Sequence, residues 1–159
     1  MGLYRISRNI EASFIDFLKP LLQIDWGFDR VEKSFARIKN IELPSVCIRV
    51  GDTTHDKVEI GDNATTREIL VLIDIFATDD GLRLDLKDYI IEKVKNGLTY
   101  YEYEIENGQV KIKTQSGRIR ILDIIETPIN LTTEKSTLDV HDRFRHLLTL
   151  TVSLGKVEL

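Results

Sequence analysis

A chain of 159 residues suits one domain with one core, and 42% apolar with 30% charged residues excludes a disordered polypeptide. The formal charge of −4 and pI of about 5.4 exclude a polycation that grips nucleic acid by its phosphates; they suit DNA passing nearby without sticking. The longest apolar run, Ile69 to Ile73, is far too short to span a bilayer.

The opening stretch, MGLYRISRNIEASF, lacks the unbroken apolar segment and small-residue cleavage site of a secretory signal. One cysteine, Cys47, cannot form an internal disulfide and fits synthesis in a reducing cytoplasm. No internal repeat, low-complexity tract or linker divides the chain, so residues 1–159 read as a single domain.

Residues 9–23 place Ile10, Phe14, Phe17, Leu18, Leu21 and Leu22 on one helical stripe, with Ser7 or Asn9 as cap. Pro20 predicts a kink or stop near Lys19. Residues 29–39 fit a short helix through Val31, Phe35 and Ile38, and are also compatible with a strand. After Pro44, Val46, Ile48 and Val50 alternate with Cys47 and Arg49 as a strand. A polar loop is expected over 51–67, with a short strand at 57–60 as an option.

The strand over 68–78 is apolar on both faces apart from Asp74 and Thr78, which predicts cover on both sides. A helix follows, with Leu82, Leu86, Tyr89, Ile90 and Val94 at helical spacing and Gly97 at its end. Asn107-Gly108 is the favoured pair for a two-residue hairpin turn, and predicts Tyr103 opposite Ile112 and Tyr101 opposite Thr114. Strands over 118–127 and 144–154 complete the series, separated by a second polar loop over 128–142. The order implies an α+β fold, a mostly antiparallel sheet with two main helices and a β-hairpin around Asn107-Gly108.

Asp79 and Asp80, between strand and helix, are the first candidates for chemistry. Paired carboxylates there serve a metal or acid–base catalysis, but no ligand spacing accompanies them, and the position is that of a helix cap. Asp74 in an apolar strand predicts a partner such as Arg49 or Arg120, or a subunit contact. His55, His141 and His146 carry no zinc spacing and read as solvated loop or strand residues. Lys111, Lys113, Arg118 and Arg120 form a modest basic strip, expected as a solvated or partner-facing surface. No nucleophile, metal, cofactor or phosphate-cradle motif is present, so no enzymatic activity is expected.

Two helices are too few to cover both faces of such a sheet. A neighbouring subunit supplying an edge or loop does so, and repeated head-to-tail contacts close into rings. The order helix, LPSVCIRVGD, polar loop, REILVLIDIFATDD, GLRLDLKDYIIEKV, long loop and RHLLTLTVSL resembles the tail terminator (tail-completion) proteins of long-tailed bacteriophages over roughly residues 9–154. The tyrosine-rich hairpin has no counterpart in that pattern.

That resemblance implies a virion protein at the tail–neck junction, made in the bacterial host cytoplasm. It implies a homohexameric ring that caps the tail tube protein, stops its polymerisation and presents the head-docking surface to a neck or head-completion protein. DNA then passes through the lumen without sequence-specific binding. Under that reading the contact residues are sought in the two polar loops: Asp52, His55, Asp56, Lys57, Asp62 and Arg67, with Glu134, Lys135, Asp139 and Asp142. Two alternatives come from other classes. One is a small metal-dependent hydrolase using Asp74, Asp79 and Asp80; the other is a small-molecule-binding α+β module built around the tyrosine hairpin.

Overall fold

A computed structural model describes residues 5–33, 42–61, 63–129 and 143–158. The fold is α+β, a mostly antiparallel sheet with two helices. In chain order its elements are α1 (Ile6–Trp26), β1 (Val31–Glu32), β2 (Ser45–Lys57), β3 (Thr65–Phe76), α2 (Asp80–Val94), β4 (Leu98–Glu106), β5 (Gln109–Ile129), β6 (Arg145–Ser153) and β7 (Val157–Glu158). The strands lie in the order β1-β2-β3-β6-β5-β4, with β7 added to β3, and only the short β1–β2 contact is parallel.

Helix α1 buries Ile6, Ile10, Phe14, Leu18 and Leu22, a stripe of period three to four. It starts earlier than its periodicity predicts and runs through Pro20 to Trp26. The stop expected near Lys19 is therefore corrected. Tertiary anchors hold the turns after the proline: Leu22 is fully buried, Trp26 meets the Tyr89 ring edge-on at 5.5 Å, and the Tyr89 hydroxyl donates to Asp25. Gly27, at φ +73°, then ends the helix in a left-handed conformation.

Neither Ser7 nor Asn9 caps α1, since both lie inside it. Asn9 and Ser13 are buried polar residues on its packed face, and they do another job. Ser13 Oγ accepts from the backbone N–H of Tyr101 at 3.1 Å, and Asn9 Oδ1 from that of Tyr103 at 3.4 Å. These are strand-edge donors of β4, so one helix covers the outermost edge of the sheet on that side.

Both helices pack into one core on one face of the sheet. Leu86, Ile90 and Val94 of α2 join the α1 stripe against Val46, Ile48, Ile69, Val71, Ile73, Ile75, Leu148, Leu150 and Val152. Strand periodicity puts the intervening residues on the opposite face. There Leu70 and Leu72 are only half-buried, while Asp74 and Phe76 are fully or almost fully buried. The two-sided cover expected for β3 is thus partial.

Three strand assignments change. The expected loop over 51–67 is mostly ladder, with Thr53 to Lys57 paired to Ile69 to Thr65; among the described residues only 58–61 and 63–64 lie between the two strands. Its polarity reflects exposure, because this arm has little core beneath it. The hairpin strand and the strand at 118–127 are one continuous β5, whose first half pairs with β4 and second half with β6. The hairpin turn is at Asn107 and Gly108, both with positive φ, as expected of a type I′ turn. Ile105 faces Val110, but a bulge then shifts the register, so Tyr103 pairs with Lys113 and Tyr101 with Gln115. Residues 29–33 contain the strand β1, whereas 34–41 lie outside the described residues.

Candidate functional site

The aspartates after β3 are built into the start of α2. Asp79 Oδ1 accepts from the Leu82 N–H at 2.8 Å, a side-chain cap worth about 1 kcal/mol. Asp80 is the first helical residue, and its Oδ1 takes a bond from Arg83 Nε at 3.2 Å. Arg83 in turn reaches His146 of β6, with Nη1 2.7 Å from Nδ1. The second aspartate therefore orients an arginine across the helix–sheet contact.

That contact requires a neutral imidazole. A guanidinium only donates, so Nδ1 is the acceptor and the proton sits on Nε2, which is buried without a hydrogen-bond partner among the described residues. Burial, then repulsion from Arg83, lowers the His146 pKa. The unfolded chain thus takes up a proton first as pH falls through the ordinary histidine range, near 6.5. Stability contributed by neutral His146 is complete above that range and declines below it. Thermal unfolding followed from pH 7.5 to about 5.5 is expected to show a falling midpoint, and His146→Gln a flatter profile over the same interval. Equal slopes for the two proteins would refute this.

On the sheet face away from the helices, Asp74 is fully buried and held by two arginines. Arg145 Nη2 and Nε approach its Oδ1 at 2.9 and 3.1 Å, and Arg49 Nη2 and Nε approach its Oδ2 at 3.3 and 3.4 Å. The Arg49 partnership was legible in the sequence; Arg145 was not, and Arg120 is not a partner, lying over Gly155 instead. Arg145 also stacks over Phe76 at 5.2 Å. Cys47, the cross-strand neighbour of Asp74, is fully buried, and burial together with that carboxylate pushes its thiol up to about 11. It is a packed thiol rather than a nucleophile.

Around this cluster the face is half-open, with leucine and isoleucine set among threonines. The register lines up Leu70 with Thr151, Leu72 with Thr149 and Asp74 with Leu147, then Thr149 with Ile125 and Leu147 with Thr127. Ile125 is 55% exposed and Leu122, at a bulge, 53%. Further exposed aliphatics sit towards the hairpin ends: Val58 and Ile60 after β2, Val110 and Ile112 in β5.

Among the contact residues expected from sequence, Asp52, His55, Asp56 and Lys57 lie on β2, and Arg67 on β3. They share one arm, with His55 opposite Arg67 and Asp56 opposite Thr66. Arg67 belongs to the fold's own ladder, since its Nη2 binds Glu158 of β7 at 2.9 Å with both side chains mostly buried. Asp62, Glu134, Lys135, Asp139 and Asp142 lie outside the described residues, as does His141.

The basic strip does not act as one surface. Lys111 pairs with Glu106, Lys113 with Asp16, and Arg118 donates to the Asn96 carbonyl at the end of α2. At the hairpin, Tyr103 donates to Asp16 at 2.7 Å and Lys113 lies over the Tyr101 ring at 4.2 Å. Burial, reinforced by Asp16, raises the Tyr103 pKa, which keeps it a donor. Two clefts of about 230 Å³ flank this bridge, one beside Phe17, Pro20 and Tyr101, the other beside Arg8, Lys33 and Tyr103.

Among the described residues, no three His, Cys, Asp or Glu side chains converge in a metal-binding group, and no helix is long and apolar enough to cross a membrane. The sequence matches no protein-family model and no curated protein.

Proposed function

We propose that this chain is a structural assembly protein of the tail-terminator kind. In this reading copies of it form a ring, six by the resemblance, seated on the last ring of tail tube protein. The ring stops tube growth and offers its other side to a neck or head-completion protein, and DNA crosses its lumen unbound. The site of action is the virion's tail–neck junction.

The observation that carries this reading is the one-sided sheet. Both helices occupy one face, while Leu70, Leu72, Leu147 and Ile125 run across three strands of the other with partial exposure. Aliphatic side chains left open on one face of a sheet suit a protein–protein contact. The acids needed by the metal-hydrolase alternative have structural work instead: Asp74 is clamped between arginines, Asp79 caps a helix, and Asp80 orients Arg83. That favours assembly over metal chemistry.

Native mass, by light scattering or native mass spectrometry across concentration, tests the proposal. A discrete hexamer that persists with chelator is the expected result. A monomer at every concentration overturns it, and a monomer carrying stoichiometric divalent metal would favour the hydrolase alternative in its place.

A further inference from the structure

Sheet edges decide how a β protein meets its neighbours, because an unpaired edge is a row of unused N–H and C=O groups. Here the β4 edge is covered by Asn9 and Ser13 of α1, and β1 pairs with β2 only at Val46 and Cys47. Several stretches of edge have no pairing strand among the described residues, among them the side of β5 away from β4 over Gln109 to Arg118. Two others are β2 over Gly51 to Asp56, beyond Val50 whose N–H is bonded to the Glu11 carboxylate of α1, and β5 over Arg120 to Ile129, past the point where β4 ends at Leu98 opposite Ile119. These two lie on opposite sides of the sheet.

We propose that these two edges join copies of the chain, β2 of one adding to β5 of the next. This rests on the ring reading above and names the seam by which the ring closes. Strand direction supports it. The run β2-β3-β6-β5 is antiparallel at every step, so β2 and β5 point in opposite directions. Copies set side by side in one orientation therefore bring β5 against β2 as an antiparallel pair, and the contact is heterologous, the type that closes into rings.

Charge and side chains agree. In the antiparallel arrangement the Arg120 end of the β5 edge meets the Asp56 end of β2. Register places both residues on the face away from the helices: Arg120 opposite Ser153, Asp56 opposite Thr66. Both are exposed. The β2 segment is shorter than the β5 edge, so it fits before β4 begins. Ile125 gains cover from the added strand, and the exposed polar arm expected from sequence as contact surface becomes a strand donor.

The test uses the full chain and three variants. Ile125→Lys charges the β5 edge at an exposed position. Thr54→Pro and His55→Pro probe the β2 edge: of two neighbouring residues one turns its N–H to β3 and the other outward, so one proline keeps the fold. Circular dichroism identifies which. Wild type is expected as the closed oligomer, with Ile125→Lys and the folded proline variant each monomeric. An equimolar mixture of these two is expected to form a dimer and nothing larger, since each supplies the one edge the other lacks. If wild type assembles and both folded variants assemble equally, the seam is overturned while the ring reading stands. Variants that stay monomeric without giving a dimer on mixing also overturn the seam. A wild type monomeric at every concentration overturns both.

Discussion

Alanine at Gly97 is expected to lower the stability by about 3 kcal/mol or more, moving the thermal midpoint down by about 10 °C in a protein of this size. Gly97 follows α2 at φ +82°, a conformation that costs an L-residue roughly 1–2 kcal/mol. A Cβ there would also lie 2.5 Å from the Ile119 carbonyl oxygen. That oxygen is backbone of β5 at the position paired with Leu98, so relief requires moving the strand junction itself. Gly108→Ala is the control. It has a similar φ of +77° but nothing within 4 Å of the added methyl, so only the conformational cost applies. Equal losses for the two substitutions, measured by chemical or thermal denaturation, would show that the close approach at Gly97 has no energetic weight.

Asp74→Ala is expected to cost about 3 kcal/mol, the lower end for removing one partner of a buried ion pair. The carboxylate is fully buried, yet its two arginines keep some access to water, 36% for Arg49 and 20% for Arg145, and that access limits the penalty. The arginines are unequal. Arg145 has the shorter contacts and the lower exposure, so Arg145→Ala is expected to destabilise more than Arg49→Ala. High salt should affect the Arg49 variant difference more, because the more exposed pair is the more screened. A neutral Asp74→Ala would mean that the pairing only offsets the desolvation of the carboxylate.

The contrast between legible and illegible features follows a physical line. The apolar strand over 68–76, the cap at Asp79, the helix that follows and the turn at Asn107-Gly108 were all readable. Each is decided within a few residues, by periodicity, an orphan N–H or a positive φ. The alternation of β6 was readable for the same reason, with Leu148, Leu150 and Val152 buried in turn; His146, read as a solvated residue, is corrected to a buried one.

Features set by distant residues were not. Pro20 argued locally for a broken helix, but Trp26 and Tyr89 hold its last turns from outside. Polar residues 51–57 argued for a loop, but the facing strand 65–69 supplies the ladder for 53–57. Asn9 looked like a cap because its use, the edge of β4, lies more than ninety residues away. At the candidate site, Asp74 announced itself by being charged in an apolar strand, whereas Arg145 is visible only once β6 lies beside β3.

The sequence by itself determined the α+β class, the two amphipathic helices, the hairpin turn and the structural use of Asp79, because near neighbours and backbone sterics settle these. Only the tertiary structure decided which face both helices share, which edges α1 covers, and where Asp74 and His146 find their arginines. Those are choices of partner between residues far apart in the chain, made by packing one sheet against two helices, and no local pattern encodes them.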